Sequence, residues 1–127
     1  MEQQLIVIAD PNNDRAEAIG NALNGGFEVV RIRNAREAYG EIRSRRPAAV
    51  VVDFPFPMDG GCLTWTLNGD PDTADIPVVA FSAWNFPRTR GKAKEYGCSA
   101  FVPHSDGPDG LARAVTDVLE REPDPVG

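Results

Sequence analysis

An α/β fold, built on a parallel sheet with helices on both faces, is predicted by three features of the sequence. Leu5-Ile6-Val7-Ile8-Ala9, Ala48-Ala49-Val50-Val51-Val52 and Ile76-Pro77-Val78-Val79-Ala80-Phe81 are apolar runs without alternation, the pattern of strands covered on both sides. Segments of helical periodicity separate these runs, which is the order of a parallel sheet wound by crossover helices. Each run also gives way to a polar residue, Asp10, Asp53 or Ser82. Open α/β sheets bind their ligands in the loops beyond the carboxyl ends of their strands.

The 127 residues are expected to form a single domain over residues 1–122, with 123–127 as a short flexible tail. A net charge of −6 argues against a nucleic-acid surface, which needs clustered, uncompensated Lys and Arg. Arg43, Arg45 and Arg46 are the densest basic group, and the last turn of a solvated helix accounts for them. Neither a secretory signal nor an apolar run of membrane length is present, so the expected setting is the cytoplasm with no membrane partner. Cys62 and Cys98 lack metal-ligand or redox spacing and are expected to remain reduced thiols.

The first run, Leu5 to Ala9, reads as a buried strand closed by Asp10-Pro11-Asn12-Asn13. From Asp14, the residues Ala16, Ala18, Ile19, Ala22 and Leu23 recur at helical spacing until Asn24-Gly25-Gly26 stops the helix. Phe27 to Arg33 has the β-branched content and partial alternation of an edge strand. Asn34 with Glu37 three residues on resembles a capping box, and Ala35, Ala38, Tyr39 and Ile42 form the buried stripe of the helix it opens. Pro47 prevents its continuation.

Past the Asp53 strand, Cys62 to Leu67 reads as a short third helix closed by Asn68-Gly69-Asp70-Pro71. The run from Ile76 is the fourth strand, with Pro77 near its start, where a missing N–H is tolerated. Thr89 to Tyr96 is a helix weakened by Gly91 and ended by Gly97, and Ala100-Phe101-Val102 is a short fifth strand leading into Pro103-His104-Ser105. The last helix runs from Leu111 to Glu120, with Leu111, Ala114, Val115, Val118 and Leu119 on one face. The predicted architecture is a flavodoxin-like, doubly wound, five-stranded parallel sheet of order 2-1-3-4-5 with five helices.

In that order the first and third strands are neighbours, so Asp10 and Asp53 meet at the switch point, and Ser82 and His104 leave the carboxyl ends of the fourth and fifth strands. A lone Asp at a strand end also serves as a turn cap, and a lone His as an exposed loop residue. Two carboxylates held close call for a cation, and oxygen-only ligands favour Mg²⁺.

With these residues in order, the sequence resembles the receiver domain of bacterial two-component response regulators over nearly its whole length. The landmarks are Ala9-Asp10, Asp53, Pro57-Met58-Asp59-Gly60, Ser82-Ala83 and His104-Ser105. The resemblance implies an aspartyl-phosphate switch in phosphorelay signalling, with Asp53 as phosphoacceptor for a histidine kinase or phosphotransfer protein. It further implies Mg²⁺ held by Asp10, Asp53 and the backbone carbonyl of Pro55. Ser82 would bind a phosphoryl oxygen, and His104 would stand at the usual lysine position. Ser82 and Phe101 would be the switch pair, reading out to a downstream protein through the face of the fourth helix, fifth strand and fifth helix. Plain core packing is the other reading of Phe101.

Three departures mark the chain as an atypical, stand-alone member of this family. Ala9 replaces the first acid, the loop at Pro57-Met58 is one residue short, and His104-Ser105 replaces Lys-Pro. The expected function is therefore a phosphoacceptor switch rather than an enzyme, and the alternative is a pseudo-receiver that binds proteins without phosphorylation. A nucleotide or flavin enzyme is disfavoured, because Asp10-Pro11-Asn12-Asn13 is no glycine-rich phosphate cradle.

Overall fold

A computed structural model describes residues 3–58 and 61–121. Strands β1 (Gln4–Ala9), β2 (Phe27–Ile32), β3 (Ala49–Asp53), β4 (Val78–Ser82) and β5 (Ala100–Pro103) form one parallel sheet. Its order is β2-β1-β3-β4-β5, as predicted. Helices α1 (Asn13–Leu23), α2 (Ala35–Arg45), α3 (Leu63–Gly69), α4 (Pro87–Glu95) and α5 (Gly107–Glu120) connect and flank the strands.

The unbroken apolar runs are explained by two separate cores. On one face Ile6, Ile8, Val51, Val79 and Phe81 pack with Ile19 of α1 and with Leu111 and Val115 of α5. On the other, Val7, Ala9, Val50, Val52 and Ala80 pack with Ala38 and Ile42 of α2, Leu63 and Leu67 of α3, and Ala93 of α4. Successive residues of each central strand point to opposite faces, and both faces are dry, so no polar residue interrupts the run. The first polar residue comes where the covering helices end, which places Asp10, Asp53 and Ser82 along one edge of the sheet.

The helix ends follow local chemistry. Asn34 caps α2 by accepting from the N–H groups of Arg36 and Glu37, as its side chain predicts. Helix α3 starts one residue later than expected, because Cys62 is its cap, with Sγ accepting from the Trp65 N–H at 3.5 Å, and it extends to Gly69. Helix α4 starts two residues earlier, on Pro87, a residue whose fixed φ and missing N–H suit the first turn. It runs through Gly91 without a break. Helix α5 starts at Gly107 rather than Leu111, after a 3₁₀ turn over His104–Asp106. Gly97 ends α4 at φ 101°, where a Cβ would lie 2.5 Å from the Asn68 side chain, so both backbone and space require glycine.

Two further features depart from the sequence reading. Pro57–Met58 pairs antiparallel with Gly61–Cys62 in a small ribbon ahead of α3, a signal too short for strand periodicity to reveal. Arg43 and Arg46 are not merely a solvated helix end. Arg43 pairs with Asp70 at 3.1 Å and Asp72 at 2.6 Å, Arg46 pairs with Asp75 at 3.1 Å, and Arg45 pairs with Glu41 at 2.8 Å. Arg46 itself takes the left-handed cap of α2 at φ 48°. The proposed tail at 123–127 lies outside the described residues.

Both cysteines are free. Burial pushes the Cys98 thiol up to about 12 and raises that of Cys62 as well. The thiolate is the reactive form, so Cys98 is expected to resist iodoacetamide at pH 8 in the folded protein and to react within minutes in urea. Equal rates in the two states, measured by mass, would contradict this.

Candidate functional site

The carboxyl edge of the sheet gathers the site because neighbouring strands end in register. Ala9 pairs with Val52, Asp53 with Phe81 and Ser82 with Pro103, so the residues just beyond come out side by side. Arg15, Asp53, Phe54, Pro55, Ser82, Ala83, Trp84 and His104 line one cleft of about 260 Å³. Four expected residues, Asp53, Pro55, Ser82 and His104, therefore share a single cleft, and Asp10 reaches it through Arg15.

The Asp10 carboxylate is buried, with its side chain 1% exposed, and three N–H donors are turned to it. Its Oδ1 accepts from the Asn12 N–H at 2.8 Å and from Arg15 Nη2 at 2.8 Å, and its Oδ2 accepts from Arg15 Nε at 2.6 Å. This fork-to-fork pairing is the strongest geometry available between Arg and a carboxylate. The same Nη2 lies 3.1 Å from Asp53 Oδ2. One guanidinium thus bridges the two acids.

Arg15 was not among the residues singled out from the sequence, although a signal was present. Asn12 caps α1 by accepting from the Arg15 N–H at 2.9 Å, so Arg15 stands in the first helical turn, where the helix dipole disfavours a cation. Helical side chains lean toward the N-terminus. A cation at that place, five residues after an acid at a strand end, is aimed back at that acid.

Asp53 is in a different environment. Burial raises its carboxyl above the usual range, and the nearby Asp10 charge raises it further, while Arg15 and His104 pull in the opposite direction. The structure corrects the reading of His104 as an exposed loop residue. The 3₁₀ turn after β5 lays its ring against Phe81, with centroids 4.4 Å apart, and sets Nε2 at 3.5 Å from Asp53 Oδ1. That separation is beyond hydrogen-bond range, and Nε2 is buried with no hydrogen-bond partner among the described residues. Ser82 is 1% exposed, and its Oγ accepts from the Trp84 N–H at 3.1 Å. The hydroxyl proton remains available to donate. Trp84, 59% exposed, forms part of the cleft wall and was also missed, since an isolated aromatic has no pattern to read.

Phe101 is half-buried on β5, packed against the core beneath α4, with the Arg90 guanidinium 4.8 Å over its ring. Asp59 and Gly60 of the Pro57-Met58-Asp59-Gly60 landmark lie outside the described residues.

The donor set does not fit Mg²⁺ in this arrangement. The ion needs near-octahedral oxygen ligands at about 2.0–2.1 Å and keeps several waters, whereas the space between the acids holds the Arg15 guanidinium. Ala9, in place of a third acid, turns a fully buried methyl into the core. Among the described residues no group of three or more His, Cys, Asp or Glu side chains could hold a metal ion.

Comparison with known proteins agrees with this fold. No protein-family model matches the chain. The polar-differentiation response regulator DivK of Brucella anthropi is 31% identical over 78 residues, which cover 61% of this chain and 63% of that protein. The match thus spans less than two thirds of the relative. The signal receiver domain of a signal transduction histidine kinase from Syntrophus aciditrophicus superposes with a TM-score of 0.80 at 27% identity, over 98% of this chain and 97% of that one. A response regulator from Desulfuromonas acetoxidans shares the fold, with a TM-score of 0.83 at 24% identity, over 92% of this chain and 97% of the other. In sequence and in fold the chain is thus similar to response-regulator receiver domains.

No helix among the described residues is long and apolar enough to cross a membrane.

Proposed function

We propose that this receiver is an aspartyl-phosphate switch that takes a phosphoryl group on Asp53 from a histidine kinase or phosphotransfer protein. The observation that carries the reading is the buried, unpartnered Nε2 of His104, aimed at the same carboxylate that Arg15 contacts from the other side. A cleft with cationic and N–H donors converging on one carboxylate suits a group that brings additional anionic oxygens.

In the transfer, an oxygen of the ionised Asp53 carboxylate attacks phosphorus and forms a new P–O bond as the bond to the donor breaks. With acetyl phosphate as donor, the leaving group is acetate and no proton need be moved. Arg15 Nη2, 3.1 Å from Oδ2, is placed to hold one phosphoryl oxygen, and the Ser82 hydroxyl is placed to donate to another. The domain acts as acceptor and signal rather than as a turnover catalyst, and its setting is the cytoplasm. Readout would pass from Ser82 through the half-buried Phe101 to a protein partner on the face of α4, β5 and α5, with no nucleic acid involved.

A second reading is favoured by one observation. Trp84 and Phe86, 59% and 64% exposed, both follow β4, and Trp84 lines the cleft; exposed aromatics of this kind are common anchors of protein interfaces. On that reading, the atypical receiver binds its partner whether or not Asp53 carries phosphate.

Acetyl phosphate carrying labelled phosphorus decides between them. Label is expected on Asp53 of the wild-type protein and is expected to vanish in Asp53→Asn. Label that persists in the variant, or no label on a folded wild type, rejects the switch in favour of the binding module.

A further inference from the structure

We propose that Arg15 is a built-in counter-cation that stands in for a divalent metal at the acid pair, closing the site to Mg²⁺ and letting Asp53 work without it. The part concerning Asp53 rests on the phosphoacceptor reading above; the part concerning Mg²⁺ does not.

Position is the first ground. Nη2 lies 2.8 Å from Asp10 Oδ1 and 3.1 Å from Asp53 Oδ2, so the guanidinium occupies the space in which a cation bridging the two acids would sit. Both Asp10 oxygens are already used, Oδ1 by Nη2 and the Asn12 N–H, and Oδ2 by Nε. A metal entering here must displace a bidentate ion pair from a carboxylate that is 1% exposed, and it cannot recover the loss from a third acid, because Ala9 offers only a methyl. The arginine is itself held from behind. It is 25% exposed, anchored in the first turn of α1, and its planar fork matches the carboxylate without the dehydration that Mg²⁺ resists.

Charge is the second ground. Asp10 and Asp53 together carry two negative charges, which repel at this separation unless a cation lies between them. Arg15 supplies one positive charge that no pH in the working range removes. The compensation is covalently attached, so it costs no translational freedom when the site is used. A phosphoryl group arriving on Oδ2 meets a donor already within contact distance of that oxygen.

The absence of an acid at Ala9 and the placement of Arg15 then belong together. Loss of the first acid lowers the attraction for a doubly charged ion, and a singly charged arginine is enough for the pair that remains.

Two measurements separate this inference from the function it builds on. In an Mg²⁺ titration followed by amide shifts, wild type is expected to show no saturable change at residues 10 and 53, whereas Arg15→Met, with both acids released, gains saturable binding. Arg15→Lys, which keeps the charge, is expected to behave like wild type. Saturable binding to wild type as tight as to Arg15→Met overturns the proposal, and the wild-type arm alone decides it if Arg15→Met does not fold. Labelling by acetyl phosphate is the second measurement. EDTA is expected to leave wild-type labelling within about twofold, a barrier change well inside that of one charged contact. A tenfold or greater loss in EDTA overturns metal independence. Failure to label both with and without Mg²⁺ rejects the phosphoacceptor role, and the titration still reports on Arg15.

Discussion

Asp10→Asn is expected to destabilise the domain by roughly 2–4 kcal/mol, while Asp53→Asn, on the neighbouring strand end, is expected to stabilise it. The two carboxylates look equivalent in the sequence, but the fold treats them in opposite ways. Asp10 is buried and fully paired, accepting from Asn12 and twice from Arg15. An Asn in its place presents NH₂ to a guanidinium, so one strong acceptor is replaced by a donor facing a donor, with no water to compensate. Against a total stability of about 5–15 kcal/mol for an ordinary domain, that loss is a large fraction.

Asp53 carries the opposite burden. Burial and the Asp10 charge raise its carboxyl above the usual value of 3.8, and Arg15 and His104 only partly offset them. The folded state therefore binds this proton more tightly than the unfolded chain does. Above the folded-state value, the ionised carboxylate detracts from stability. As pH falls through that value and toward the unfolded one, the penalty disappears. Urea melts are expected to show Asp53→Asn more stable than wild type at pH 7, with the gap narrowing on acidification. A gap that widens as pH falls would reverse the assignment.

Much of this was legible in the sequence, and what was missed has physical causes. The central strands followed from apolar runs and intervening helical periods, because two-sided burial leaves a strong one-dimensional signature, and their order from the usual winding of such sheets. Asp10, Asp53 and Ser82 were visible because each interrupts such a run. The contact between Arg15 and the acid pair was missed, since its one signal, a cation in the first turn of α1, becomes a contact only through the cap at Asn12 and the lean of one side chain. His104 was named beyond the fifth strand end with an exposed loop as the other reading, and the 3₁₀ turn His104–Asp106 and the Phe81 ring set its side chain. The ribbon Pro57–Met58 with Gly61–Cys62 is too short to carry a period. Chain pattern thus predicts where strand ends converge, while the pairing of charges at that convergence depends on local turns.

His104→Lys is expected to speed labelling of Asp53 by acetyl phosphate. His104 Nε2 stands 3.5 Å from Oδ1, too far for a hydrogen bond, whereas lysine has a longer, flexible stem and a fixed positive charge. A charged contact to the incoming phosphoryl oxygens is worth about 1.5–3 kcal/mol, which corresponds to roughly ten- to a hundredfold in rate if it is made in the transition state. Stability should move the other way, because the ring contact with Phe81 is lost, and such pairs contribute about 0.5–1.5 kcal/mol. A rise in rate together with a fall in melting temperature is therefore the expected signature, and it separates a charge effect from general tightening of the fold. His104→Gln loses the same ring contact without adding charge, so it should melt lower and label no faster than wild type. Adding the other missing charge is a poorer test. Ala9 is fully buried with Val52 and Phe54 in the apolar cluster beneath α2 and α3, and a carboxylate introduced there is penalised by desolvation before it can act. If His104→Lys folds and labels no faster than wild type, the fifth strand end does not limit the reaction, and the short loop at Pro57–Met58 becomes the element to lengthen.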